Sequence, residues 1–252
     1  MIALALAAAL ATAAPAAAAP SERRIPGIDV SRFQADIDWV KVAAAGKRFA
    51  FVQASRGKRN DCAVKPDRCG PDEYYDLNYV EAKLAGVRVG PYHRAFVGGK
   101  GRRTAKLDAK REARVFIESV GALEGTDLRP ALDLEPPFGG LNSKQLRLWT
   151  RTWLRRVERA FGAKPIIYTG ASSWASLEQT AEFALAGHPL WVANWHVPSP
   201  SVPASNWGGF GWSIWQWSSE GKVAGINGNV DLDWLRGGFG PVSVGSAAPA
   251  RD

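Results

Sequence analysis

The sequence has 252 residues, 46% of them hydrophobic, and a formal net charge of +8. That allows one full-sized core, since α/β barrels of about 200–250 residues often form a single domain. After residue 20 no stretch has the roughly 18 consecutive apolar residues that would span a membrane, which excludes a further span. The basic charge favours polyanionic partners (cell-wall polymers, anionic membrane surfaces or nucleic acid) without choosing among them. Eleven Trp and five Tyr are a heavy aromatic load; such faces stack on pyranose rings or simply fill a core.

Residues 1–20, MIALALAAALATAAPAAAAP, match the apolar region and small-residue cleavage zone of a secretory signal. A positively charged start is missing, so an uncleaved N-terminal anchor is the alternative. Cys62 and Cys69 share one polar loop, DCAVKPDRCG. In an exported protein such a pair is oxidised and closes a short loop; in the cytosol it is two thiols. Its spacing and the lack of a nearby His argue against zinc.

In chain order, Ile25–Ser31 reads as a short strand and Ile37–Ala45 as a helix capped by Asp36 or Asp38 and stopped at Gly46. Arg48–Ser55 is a strand, Asp76–Ala85 a helix ending at Gly86, and Val87–His93 the next strand. Thr104–Val120 is a charged helix. Asn142, three residues before Gln145, resembles a capping box. The helix it starts places Leu146, Trp149, Trp153, Leu154, Val157 and Phe161 on one face and Arg147, Arg151, Arg155, Arg156 and Arg159 on a solvated one. Lys164–Thr169 is a strand, Ser172–Ala186 a helix, and Pro189–Trp195, Ser213–Trp217 and Val230–Trp234 are strands. The segment 241–252 reads as a disordered tail.

Between them lies Pro130-Ala131-Leu132-Asp133-Leu134-Glu135-Pro136-Pro137, read within a strand from Arg129 to Glu135. Alternation puts Asp133 and Glu135 on one face, roughly 6–7 Å apart at their start. Like charges that close raise the pKa of one member and leave an acid beside a base. An exposed, solvated D-x-E is the bland alternative. Strands alternating with helices imply a parallel sheet. Asp29, Gln53, Tyr92 with His93, Asp133 with Glu135, Tyr168, Asn194, Gln216 and Asp231 all stand at strand ends. A closed barrel gathers such ends at one rim; an open sheet scatters them along an edge. Few helices follow residue 187, so the expected fold is α/β, a single irregular TIM-like (β/α) barrel over 25–240 with fewer than eight helices.

Seven blocks in order, GIDVSRFQADIDW, FVQASRG, VGPYH, PALDLEP, KPIIYTGASSW, PLWVANW and SIWQWSSEGKVAGINGNVDLDW, resemble the family 25 glycoside hydrolases, lysozymes that are N-acetylmuramidases. The resemblance implies hydrolysis of the β-1,4 bond between N-acetylmuramic acid and N-acetylglucosamine in peptidoglycan, with retention, by an exported, monomeric enzyme without metal or cofactor. It implies Glu135 as general acid/base and Asp133 as nucleophile or as the group orienting the substrate's 2-acetamido. Asp29 and Asp231 flank them, their negative charge holding Glu135 protonated. Asp233 shares a face with Asp231, so spacing does not separate the two. Tyr92, Tyr168, Trp191 and Gln216 are weaker candidates for sugar contact, with core packing as the alternative, and His93 reads as structural. Arg94 stands where the family more often has an aromatic, an expected change at a substrate subsite. The Cys loop reads as an insertion that roofs one end of the cleft.

Nucleic acid is a minor alternative partner for the arginine-rich helix face, and no stable membrane insertion is expected after signal cleavage. Two rival readings keep the same barrel: a non-catalytic peptidoglycan-binding module, and a metal-dependent phosphodiesterase with Mg²⁺ or Ca²⁺ on four rim acids. Three His, none in a ligand-like motif with an acid, argue against the second.

Overall fold

Parallel strands covered on both faces have no side left for polar residues, so they read as unbroken apolar runs. All eight residues of β2 (Phe49–Arg56) are buried. The computed structural model describes residues 22–58 and 69–245. Its other strands are β1 (Arg24–Val30), β3 (Gly70–Pro71), β4 (Arg88–Arg94), β5 (Ala131–Asp133), β6 (Ile166–Gly170), β7 (Leu190–Ala193), β8 (Ile214–Gly221) and β9 (Val230–Arg236). β3 is a short antiparallel addition to the end of β2. The remaining eight close into a barrel, because β1 pairs with both β2 and β9. Seven run parallel; β9 is antiparallel to β8 and to β1. The expectation of a parallel sheet fails at this strand for a simple reason. Only residues 222–229 separate β8 from β9, too few for the dozen or so that a parallel crossover needs.

The helices are α1 (Trp39–Ala44), α2 (Tyr75–Leu84), α3 (Arg102–Val120), α4 (Ser143–Phe161), α5 (Ala171–Trp174), α6 (Glu182–Leu185) and α7 (Pro203–Gly208). Asp38 caps α1 by accepting from the Lys41 amide. The Asn142–Gln145 capping box forms in full, and α4 ends at Gly162 in the left-handed conformation that favours glycine. α4 buries Leu146, Trp149, Trp153, Leu154 and Val157. On its other side Arg147 pairs with Glu178 and Arg151 with Glu182.

Three expectations are corrected. The single helix over Ser172–Ala186 is broken into α5, a 3₁₀ turn at Ala175–Leu177, and α6. Glu178 and Gln179 take positive φ values of 57° and 50°. The break lets the Trp174 indole pack against Phe183 and Trp207 and donate to the Thr180 carbonyl. Second, the central strand is only Ala131–Asp133. Arg129 gives its amide to the Val242 carbonyl and Pro130 has none to give, which shortens the start; at the other end the Leu134 amide meets the Tyr168 carbonyl and Glu135 lies beyond the ladder. Third, the chain does not leave the barrel at Pro241. Gly240–Val242 forms a 3₁₀ turn, Val242 is fully buried, and Ser243 bridges Leu128, because this segment plugs the end of the barrel opposite the carboxyl ends of the parallel strands. Residues 246–252 and the expected leader 1–20 lie outside the described residues.

The barrel interior is filled by Phe49, Phe51, Ile166, Trp191, Ile214 and Leu235, among others. Phe51 stacks on Trp191 at 4.5 Å between centroids, and Tyr168 meets Trp191 edge-on at 4.8 Å. Gly27 belongs to this layer: an added Cβ would stand 2.3 Å from the Phe49 ring. β1 therefore carries glycine one step below Asp29 on the inner face. A second, larger core lies between barrel and helices.

Candidate active site

Alternation along the strands decides which polar groups reach the barrel mouth. On β9, Asp231 and Asp233 point inward; Asp231 is half-buried and Asp233 is buried one layer deeper. Asp29 stands opposite Asp231 in the β1–β9 register. Gln216 on β8 joins these groups. Its amide nitrogen donates to Asp29 Oδ2 at 2.8 Å and to Asp231 Oδ2 at 3.1 Å. Its amide oxygen accepts from the Tyr168 hydroxyl and from Trp195 Nε1, each at 2.9 Å. Across the mouth, Asp133 ends β5 and the Glu135 side chain is 39% exposed. Arg94 binds both: Nε lies 3.4 Å from Asp133 Oδ2 and Nη2 lies 3.0 Å from Glu135 Oε1.

Burial dominates the electrostatics here. It pushes the Asp133 carboxyl up to about 8, with the Arg94 guanidinium pulling the other way and the Glu135 charge adding to the rise. Burial, relieved by a hydrogen bond from Asp29, leaves Asp231 at about 6, and leaves Asp233 at about 8 beside the Trp191 indole that donates to it. Asp29 is raised well above the carboxylate range by burial and then by Asp231 and Asp233. Asp29 and Asp231, expected as flanking negative charges, are thus both opposed in their ionisation by burial, Asp29 more than Asp231. No group of three or more His, Cys, Asp or Glu among the described residues is placed to hold a metal ion, since an amide or a guanidinium stands between the acids.

The model for the family described as Glycosyl hydrolases family 25 matches residues 28–226. The chain belongs to glycosyl hydrolase family 25. It is therefore a glycoside hydrolase. It is 33% identical over 236 residues to Lysozyme M1 of Streptomyces globisporus, covering 87% of this chain and 73% of that protein. It is 25% identical over 219 residues to the N,O-diacetylmuramidase of a Chalaropsis species, covering 82% and 96% of the two chains. Among solved structures, the bacterial lysozyme from Streptomyces coelicolor superposes with a TM-score of 0.72 at 31% identity, covering 84% of this chain and 92% of that one.

For this family 25 chain the sequence-derived candidates separate into two sets. Asp29, Asp133, Glu135, Asp231, Gln216 and Tyr168 meet at one rim, with Tyr92 close enough to feel the charges of Asp29 and Asp133. Trp191 is 1% exposed and sandwiched between Phe51 and Tyr168, so it forms the floor and offers no face to a sugar. Asn194 closes the loop after β7 by accepting from the Ser201 amide. His93 is buried on the outer face of β4, between Ser55 Oγ at 2.8 Å and Glu112 Oε2 at 3.0 Å; burial drives it to about 3 and keeps it neutral. Cys69 is buried and Cys62 lies outside the described residues.

One group is placed differently from the expectation, and one went unrecognised in the sequence. Arg94 faces the acid pair instead of a peripheral subsite. The signal was present: Tyr92 is an inner-face residue, and Arg94 follows it by two. Trp195, 44% exposed with its indole tied to Gln216, is the open aromatic at the rim that Trp191 was expected to be.

Proposed function

We propose that this glycoside hydrolase is a muramidase that cleaves the β-1,4 bond between N-acetylmuramic acid and N-acetylglucosamine in peptidoglycan, with retention of configuration. The observation that carries the assignment of roles is the placement of Asp133 and Glu135 on one guanidinium at the mouth of the barrel. Glu135, the more exposed of the two, protonates the glycosidic oxygen and later activates water. Asp133 orients the 2-acetamido group, whose carbonyl oxygen attacks the anomeric carbon. One feature favours this over direct attack by Asp133: its Oδ1 is buried without a hydrogen-bond partner, so it suits an acetamido N–H. Asp29 and Asp231, fixed by Gln216, line the opposite wall and stabilise positive charge developing on the sugar ring.

Trp195 and Phe33, the latter 76% exposed, are the aromatic faces that meet the glycan. Export to the periplasm or beyond follows from the substrate, with residues 1–20 as the signal and Cys62 bridged to Cys69; Cys69 is not a free thiol. No helix among the described residues is long and apolar enough to cross a membrane. Mass spectrometry of products from purified peptidoglycan tests the bond assignment. Fragments with N-acetylmuramic acid at the new reducing end are expected, and fragments ending in N-acetylglucosamine would overturn it.

A further inference from the structure

We infer that Arg94 is a positioning residue of the reaction, fixing the places of Glu135 and Asp133. The inference rests on the proposed roles of those two carboxylates.

β5 stops at Asp133, and the Leu134 amide still meets the Tyr168 carbonyl of β6. Beyond Leu134 it is Arg94 that holds the segment. Nη1 donates to the carbonyls of Ala95 at 2.9 Å and Glu135 at 3.3 Å, and Nη2 to the carbonyl of Pro136 at 3.1 Å. The same guanidinium reaches both carboxylates, and the Phe96 ring covers it at 5.1 Å from Cζ. A planar fork with five N–H donors meets this set; a lysine ammonium, with three donors at one point, does not. With its donors taken inside the protein and only 16% of its side chain exposed, Arg94 has little left for the glycan. It therefore acts through Glu135 and Asp133 rather than on substrate.

Charge points the same way. Asp133 is faced by Arg94 and Tyr92 from β4, Arg56 from β2, Tyr168 from β6, Asp231 from β9 and Glu135 from its own segment. Of these, Arg94 opposes the effect of burial most strongly. Without it Asp133 would hold its proton to still higher pH, and the fraction of enzyme with an ionised Asp133 would fall at neutral pH.

The test compares wild type, Arg94→Met, Arg94→Lys and Glu135→Gln on soluble purified glycan strands, with kcat and KM measured across pH and folding checked by thermal melts. Arg94→Met is expected to lower kcat by about tenfold or more, to change KM less than about twofold, and to move the acid limb of kcat/KM to higher pH. Arg94→Lys should return that limb towards wild type because it restores the charge, while kcat stays reduced because the fork is lost. A folded Arg94→Met with wild-type kcat and pH profile would overturn the inference, as would a raised KM at unchanged kcat, which marks a substrate contact. If Arg94→Met does not fold, wild-type kcat in Arg94→Lys overturns it equally. Full activity in Glu135→Gln would instead remove the proposed acid, a separate failure visible in the same experiment.

Discussion

Two groups of carboxylates face each other across the barrel mouth, and they are stabilised by opposite means. Where β1, β8 and β9 meet, Asp29, Asp231 and Asp233 are bound by a neutral amide and an indole, and no guanidinium or ammonium hydrogen-bonds to them among the described residues. Burial is the main cause that raises all three, with neighbouring carboxylates adding to the rise at Asp29 and Asp233. At the end of β5, Asp133 and Glu135 are bound by Arg94, so a fixed positive charge opposes the rise at Asp133. Identical functional groups thus acquire different jobs from their partners. The amide-bound set is a hydrogen-bonded wall, and the guanidinium-bound pair is held in place for proton transfer.

The comparison can be broken at several points. Asp133→Asn removes the group that polarises the acetamido and should lower kcat by about 10²–10³-fold on purified peptidoglycan with KM little changed; a loss confined to KM would make Asp133 a binding residue only. Gln216→Leu unties the opposite wall, leaving Asp29 and Asp231 without their shared donor, and should cost about 10–10² in kcat/KM. Wild-type rates in that variant would show that the wall need not be held. Trp195→Ala should raise KM a few-fold and leave kcat nearly intact, as loss of a stacking face does, and steady-state kinetics on glycan strands of increasing length would detect it.

The smallest effect is on stability. Asp133 and Asp233 sit near 8 in the folded protein against about 4 when unfolded. The folded state therefore binds more protons over that interval, and stability falls as pH rises through it. Between about pH 7.5 and 9 the buried His93 and His188, lowered to about 3 and about 4, are neutral in the folded state and mostly so unfolded. The melting temperature of the wild type should drop across that range, and Asp233→Asn should flatten the drop. An equal slope in both proteins would mean that Asp233 is ionised when folded.

Much of this was legible in the chain. Apolar strands ending in acids, amides or tyrosines implied a barrel with one reactive rim, and the Asn142–Gln145 box marked the start of α4 correctly. What escaped depended on tertiary partners. Periodicity continued Ser172–Ala186 as one helix because it does not register an indole seeking the Thr180 carbonyl. Alternation extended β5 to Glu135 because it does not register where pairing with β6 ends, after the Leu134 amide meets the Tyr168 carbonyl. Trp191 and Trp195 were indistinguishable by composition, and only the packing of Phe51 and Tyr168 on the first assigns it to the floor. Arg94 looked like a subsite change because all but one of its polar contacts, the Ala95 carbonyl, come from Asp133, Glu135 and Pro136, far along the chain.

The release of new reducing ends from purified peptidoglycan by Glu135→Gln, beside wild type and with the fold verified by circular dichroism, bears most directly on the division of labour across the rim. A loss of about 10³-fold or more is predicted, since a neutral amide cannot give the glycosidic oxygen a proton. Wild-type release from the folded variant would contradict it and move the acid elsewhere on the rim.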